Sequence, residues 1–90
     1  MYQVIFHAKI VDDLKHISPP LQKTIKKAIE EKLTTSPESF GKPLQFSLKG
    51  ARSMRVGNYR VIFRLSKSIV QIIMIGHRSV VYEKIPRRRI

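Results

Sequence analysis

A short turn, Gly57-Asn58, lies between two segments in which apolar and charged side chains alternate. A two-residue turn that contains glycine is typical of a β-hairpin, and it fixes how the flanking strands pair. This register places Val56 opposite Tyr59 and Arg55 opposite Arg60. Because successive side chains of a strand point to opposite faces, the sequence predicts an antiparallel sheet with one apolar face and one cationic face.

The remaining segments predict two further strands and a pair of helices. Residues 2–7 form a short apolar run, and residues 69–75 are nearly continuous in apolar residues, as in a strand covered on both faces. Apolar residues recur at helical spacing over 10–17 and 21–33, with Ser18-Pro19-Pro20 between them. We predict an α+β fold: an opening strand, a helical hairpin and then a three-stranded antiparallel β-meander, in one sheet with the helices packed on one face.

Length and composition limit the possible classes of protein. Ninety residues suit a single domain over 1–90, and we expect 85–90 to be a basic, mobile tail. The chain has no cysteine, and its three histidines show no ligand spacing, so we expect no cofactor and no metal. No segment has the roughly 20 apolar residues of a membrane span, and no signal peptide is evident. We therefore expect a cytoplasmic protein without a membrane partner.

The positive charge is concentrated in the second half of the chain. Residues 1–41 hold six lysines against five acidic residues, whereas residues 42–90 hold twelve Lys and Arg against Glu83 alone. Such a surface attracts polyanions, and nucleic acid is the commonest of them. We predict that the following basic residues bind nucleic acid: Lys49, Arg52, Arg64, Arg87 and Arg88.

A second tight turn at Lys67-Ser68 would extend the hairpin into a meander. With that register residue 75 lies opposite Arg60, and His77 is predicted on the same face as Arg55 and Arg60. Arg78 and Tyr82 follow close by in the sequence.

This group of side chains suits cleavage of RNA by internal attack of a ribose 2′-hydroxyl. The reaction needs a base for that hydroxyl, cations for the charge on the phosphorane oxygens and an acid for the departing 5′-oxygen. Only RNA carries the internal nucleophile. The sequence therefore predicts metal-free cleavage that leaves a 2′,3′-cyclic phosphate.

Over residues 4–84 the chain resembles the RelE branch of the RelE/ParE toxin superfamily. The resemblance implies the toxin of a type II toxin–antitoxin pair, which enters the ribosomal A site, cleaves mRNA there and halts translation. Its partners would be mRNA on the ribosome, ribosomal RNA and an acidic, RelB-like antitoxin. The resemblance is carried by these motifs: Gly41-Lys42-Pro43-Leu44, Leu48-Lys49-Gly50, Arg55-Val56-Gly57-Asn58-Tyr59-Arg60-Val61-Ile62-Phe63 and Gly76-His77-Arg78 with Tyr82.

By this resemblance, Arg55 and Arg60 stabilise the scissile phosphate. Arg78 supports departure of the leaving group, and Tyr82 stacks on or orients the attacked nucleotide.

The chain departs from the family at two strand positions before the hairpin. Family members often carry two lysines there, and this sequence has Ser53 and Arg55. An arginine cannot act as a base at neutral pH, so proton abstraction falls to His77 or Tyr82.

Two other functions share parts of this pattern. A ParE-like toxin has the same fold but poisons DNA gyrase, and a non-catalytic RNA-binding module needs the cations alone. Both could dispense with His77 and Tyr82, whereas an endoribonuclease could not lose both.

Overall fold

The computed structural model describes residues 1–44 and 50–88, and its centre is one mixed β-sheet. The strands are β1 (Gln3–Phe6), β2 (Lys42–Pro43), β3 (Ala51–Val56), β4 (Tyr59–Ser66) and β5 (Ile69–His77). Their order across the sheet is β1-β5-β4-β3-β2, with β1 parallel to β5 and the other pairs antiparallel. The predicted α+β fold, with an opening strand and a meander of β3, β4 and β5, is confirmed.

The helices connect β1 to β2 and follow β5. They are α1 (Ile10–Leu14), α2 (Pro19–Ala28), which continues as a π-helical turn (Ile29–Leu33), α3 (Pro37–Phe40) and α4 (Val81–Lys84), which continues as a 3₁₀ turn (Ile85–Arg87). The side-chain amide of Gln22 joins α1 to α2, because it donates to the carbonyls of Leu14 at 2.9 Å and Ile17 at 2.8 Å. No helix in the described ranges is long and apolar enough to cross a membrane.

The main hydrophobic core lies between the sheet and the pair α1 and α2. Ile25 and Leu33 from the helical side pack with Val61 and Phe63 of β4 and Ile72 of β5, all almost fully buried. We call this side of the sheet the inner face. It is the apolar face that the alternation of side chains around the hairpin predicts.

A second, smaller core lies on the opposite side of the sheet, which we call the outer face. Val81 and Ile85 cover Ile62 and Met74 there, and all four side chains are buried. The sequence analysis placed helices on one face only, and the structure adds α4 and its 3₁₀ turn on the other.

The predicted tail over 85–90 is corrected for residues 85–88. Ile85 is 1% exposed, because its apolar side chain fills the strip of β4 and β5 that the helical hairpin leaves uncovered. Arg88 is also held, by an ion pair described below. Residues 89 and 90 lie outside the described residues.

Both predicted turns of the meander are present. Val56 pairs with Tyr59, which confirms the hairpin register, and Gly57 has the positive φ of 58° that its turn requires. Ser66 pairs with Ile69 across the turn at Lys67-Ser68, which confirms the second turn.

A β-bulge in β5 changes the register beyond that second turn. Ile62 pairs with Met74 and Phe63 pairs with Ile72, so Ile73 is an extra residue with no opposite partner. Arg60 is therefore opposite Gly76, and not opposite residue 75 as the sequence analysis predicts. One extra residue exchanges the faces of every side chain that follows it.

The segment from α3 to β2 packs closely on β3 and β4. Gly41 is buried, and a Cβ at that position would overlap Cζ of Phe63 and lie 2.8 Å from its Cε1. The guanidinium of Arg52 donates to the carbonyls of Gly41 at 2.7 Å and Glu38 at 3.0 Å. These contacts hold the edge of the sheet in place.

We expect Gly41→Ala to destabilise the protein by about 1–3 kcal/mol, since the buried Phe63 ring cannot move aside without strain. Urea denaturation measures the change. Ser39→Ala, on the exposed side of α3, is the control and should change stability by less than about 0.5 kcal/mol. Adding Phe63→Leu should make the double variant more stable than the sum of the two changes predicts. Additive effects would contradict the packing argument.

Candidate active site

Two arginines face each other near the tip of the hairpin. Arg55 and Arg60 are directly paired across β3 and β4 on the outer face, where opposite Cβ atoms lie about 5 Å apart. Arg60 donates to the carbonyls of Gly57 at 3.3 Å and Tyr59 at 3.1 Å, and Arg55 is exposed. Within the described residues, neither arginine forms an ion pair with a carboxylate. The pair is therefore a place where an anion would relieve like-charge repulsion.

A tyrosine hydroxyl lies on the same face as the two arginines. The hydroxyl of Tyr82, in α4, is 3.2 Å from Oγ of Ser53, and the tyrosine is 40% exposed. Ser53 precedes Arg55 by two residues in β3, so both point to the outer face. Helix α4 thus brings a group that can donate and accept a proton to the cationic end of the sheet.

The third predicted arginine lies beside the hairpin turn. The backbone N–H of Arg78 donates to the carbonyl of Asn58 at 2.8 Å, and the side chain is exposed. Gly76, opposite Arg60, lets α4 approach the sheet, since a Cβ there would be 3.3 Å from Val81. We call Ser53, Arg55, Arg60, Arg78 and Tyr82 the arginine site.

The predicted position of His77 is wrong. The bulge turns His77 to the inner face, where it pairs with Tyr59 and its ring meets the tyrosine ring edge-on, with 5.4 Å between centroids. The backbone N–H of Ser79 donates to Nδ1 at 3.1 Å, and the Ser79 hydroxyl is 2.8 Å from the same atom. A neutral imidazole that accepts at Nδ1 carries its proton on Nε2. Because the ring lies on the inner face, neither of its nitrogens is placed to act as a base on the outer face.

The residues predicted to bind nucleic acid separate into two groups. Arg52 and Arg88 are engaged inside the protein, Arg52 with backbone carbonyls and Arg88 with Asp13. Arg64 is half-buried on the outer face, where Ile62 of the second core separates it from Arg60, and Arg87 is exposed. Lys49 lies outside the described residues.

In the described part of the chain, no carboxylate forms an ion pair with an arginine of the arginine site. Among residues 1–44 and 50–88, no group of three or more His, Cys, Asp or Glu side chains could hold a metal ion. A clear pKa shift falls at the opposite end of the sheet: Tyr2 donates to Glu38 at 3.1 Å, and this hydrogen bond raises the pKa of the tyrosine.

Comparisons of this chain with protein families, with single sequences and with solved structures agree with one another. Residues 4–82 match the family described as the ParE toxin of the type II toxin–antitoxin system parDE. Toxin RelE of Mycobacterium tuberculosis is 32% identical over 89 residues, which cover 97% of this chain and 92% of that protein. The RelBE2 toxin–antitoxin complex from the same organism has a TM-score of 0.79 at 30% identity and covers 86% of this chain and 98% of that one. The RelB–RelE complex of Methanococcus jannaschii has a TM-score of 0.70 at 25% identity, with coverages of 88% and 95%.

These relatives match 86–97% of the chain, and the family match over residues 4–82 spans the positions of the arginine site. The fold and the matches define a toxin of a type II toxin–antitoxin system. The chain belongs to the RelE family within the RelE/ParE superfamily.

We expect Arg55→Thr to stabilise the protein in sulfate-free, low-salt buffer by about 0.2–1 kcal/mol, because it removes a like-charge pair. At matched ionic strength, sulfate should raise the urea midpoint of the parent more than that of the variant. Arg64→Thr is the matched control, since Arg64 pairs with Ala51 and Gln71 and has no cation opposite. Loss of stability in Arg55→Thr without sulfate would contradict the argument.

Proposed function

We propose that the protein is a ribosome-dependent endoribonuclease that cleaves mRNA in the A site and thereby inhibits translation. The observation that carries this proposal is the Tyr82 hydroxyl, which lies on the same face as Arg55 and Arg60 and 3.2 Å from Ser53 Oγ. Cations alone would suit a binding protein. A proton-transferring group beside them suits a reaction on the bound phosphate.

The proposed reaction is an internal transesterification. The ribose 2′-oxygen forms a bond to phosphorus, the bond from phosphorus to the 5′-oxygen breaks, and the products are a 2′,3′-cyclic phosphate and a free 5′-hydroxyl. The proton of the 2′-hydroxyl leaves to a base, and the 5′-oxygen takes up a proton. No metal ion takes part in the proposed step.

The side chains of the arginine site divide these tasks. Arg55 and Arg60 stabilise the charge on the phosphorane oxygens, and this electrostatic contribution is commonly the largest single one. Arg78, beside the hairpin turn, supports departure of the 5′-oxygen. Tyr82 is the proton-transferring group, because His77 faces the other side of the sheet. Ser53 orients the Tyr82 hydroxyl through their hydrogen bond.

The proposed partners follow from the charge of the protein. A net charge of +12 favours RNA as substrate and ribosomal RNA as docking surface. The same charge favours an acidic, RelB-like antitoxin, and structures similar to this chain contain a RelB antitoxin. Such a partner would neutralise the arginine site in the cytoplasm.

A ParE-like activity against DNA gyrase is the second candidate, because the matching family is described as the ParE toxin. A non-catalytic RNA-binding module is the third. Neither activity has a use for the hydroxyl of Tyr82.

We expect Arg55→Ala and Arg60→Ala each to abolish growth inhibition on expression in a bacterial host, since each removes a cation from the phosphate site. Circular dichroism should show an intact fold, because both side chains lie outside the two cores. Lys15→Ala, in an exposed ion pair with Asp12, is the control and should remain toxic. If either arginine variant were as toxic as the parent, the assigned role of that arginine would be wrong.

Primer extension on host mRNA separates the proposed activity from the alternatives. In-frame cuts within translated regions are the expected result. Intact transcripts with DNA damage would support gyrase inhibition, and intact transcripts without damage would support RNA binding alone.

We expect Tyr82→Phe to lower the single-turnover cleavage rate by about 10²–10⁴-fold, the usual contribution of a positioned proton-transfer group. His77→Gln should lower it by less than about ten-fold, because proton transfer by His77 would need the ring on the other face. The rates are measured on programmed ribosomes at saturating toxin. A greater loss in His77→Gln than in Tyr82→Phe would reverse the assignment.

A further inference from the structure

A half-buried ion pair joins α1 to Arg88, the residue that follows the 3₁₀ turn after α4. The guanidinium of Arg88 donates to both oxygens of Asp13, with Nη1 to Oδ2 and Nη2 to Oδ1 at 2.8 Å each. Each of the two side chains is only 12% exposed. The other described ion pairs of the chain link exposed side chains three or four residues apart, so this pair is of a different kind. Bidentate contacts between an arginine and a carboxylate are among the stronger hydrogen bonds of proteins.

The ion pair also closes an open part of β5. Strand β1 ends at Phe6, which pairs with Ile72, so β1 does not continue alongside the second half of β5. There the backbone N–H of Ile75 donates to Oδ2 of Asp13 at 3.0 Å, and Nη1 of Arg88 donates to the carbonyl of Ile73 at 2.9 Å. The two side chains therefore satisfy backbone groups that a longer β1 would otherwise have satisfied.

Arg88 is the last residue of a segment that carries Tyr82 onto the outer face. Two apolar anchors, Val81 and Ile85, hold one side of this segment, and Arg88 fixes its end. Tyr82 itself is 40% exposed, and within residues 1–44 and 50–88 its side chain makes one hydrogen bond, to Ser53. Its position thus depends on the anchors of the segment more than on its own contacts.

From this geometry we infer that Asp13 and Arg88 form a clamp that positions Tyr82 beside Ser53 within the arginine site. Both are positioning residues, because they act through Tyr82 and lie on the side of β5 that faces β1. The effect on catalysis rests on the proposed function, whereas the effect on α4 and Tyr82 does not. If the ion pair between Asp13 and Arg88 is broken, the segment after α4 is no longer held to α1, and Tyr82 moves away from Ser53.

The position of Tyr82 can be observed without any cleavage assay. The chain has three tyrosines, so ring-¹³C-labelled tyrosine gives three assignable sets of NMR signals. In Arg88→Met and in Asp13→Asn, the Tyr82 signals should move toward free-tyrosine values while those of Tyr59 remain in place. Amide hydrogen exchange should become faster over 81–88 and stay slow in β4 and β5.

Two further variants test whether the pair itself is responsible. Asp12→Asn is the matched control, since Asp12 is the neighbour of Asp13 in α1 but has an exposed side chain and an exposed partner. It should leave the Tyr82 signals unchanged. Arg88→Lys keeps the charge but loses the bidentate contact with Asp13. The NMR signals of Tyr82 in this variant should therefore lie between those of the parent and those of Arg88→Met.

Cleavage kinetics test the consequence for the reaction. Arg88→Met should lower kcat by about 10–100-fold, the scale of a small misplacement of a reacting group, and should change KM by less than about three-fold. In a Tyr82→Phe background, Arg88→Met should cause almost no further loss, because a residue that acts through Tyr82 has nothing left to position.

Three outcomes would overturn the inference. These are unchanged Tyr82 signals in Arg88→Met, equal acceleration of hydrogen exchange in β4 and in 81–88, or full additivity of the two kinetic losses. A parent protein that does not cleave RNA would refute the proposed function instead, and the NMR and exchange results would still decide whether the clamp exists.

Discussion

The extra residue in β5, Ile73, sets the register between β4 and the second half of β5. Four consecutive residues around it, 72–75, are almost completely buried, so β5 is packed on both faces and cannot move to correct its register. The bulge turns His77 inward and places Gly76 opposite Arg60, where α4 can approach. It also lies where Arg88 reaches the carbonyl of Ile73. The arginine site, the second core on the outer face and the ion pair between Asp13 and Arg88 all depend on this register.

The fold could be predicted from the sequence wherever a local signal determined it. Gly57-Asn58 specified the hairpin and hence the pair of arginines, and helical spacing specified α1 and α2. The bulge has no such signal, because Ile72-Ile73-Met74 are all apolar and any register of that run keeps them buried. For that reason the prediction failed at His77. The partner of Asp13 could not be predicted either, since Arg88 lies 75 residues away and only tertiary structure brings them together.

The arginine site places two like charges opposite each other in the sheet, an arrangement that an anion between them would stabilise. Arg55 and Arg60 repel each other, and the described residues place no carboxylate between them. A well-packed protein tolerates this because its two cores lie elsewhere on the sheet. Strained or repulsive arrangements of this kind are common at functional sites, where a ligand supplies the missing interaction. The same unpaired charge suits both the RNA phosphate and the acidic antitoxin that we propose as partners of this toxin.

The pairing of β1 with β5 has a consequence for how the protein is made. Strand β1 is synthesised before the other described strands, yet its neighbour in the sheet is β5, the last of them along the chain. Contacts between distant parts of a sequence form late in folding. The inner core therefore cannot be completed until β5 has left the ribosome that translates it, and the arginine site cannot be completed until Tyr82 has followed. Chain order alone separates the synthesis of this toxin from the assembly of its site.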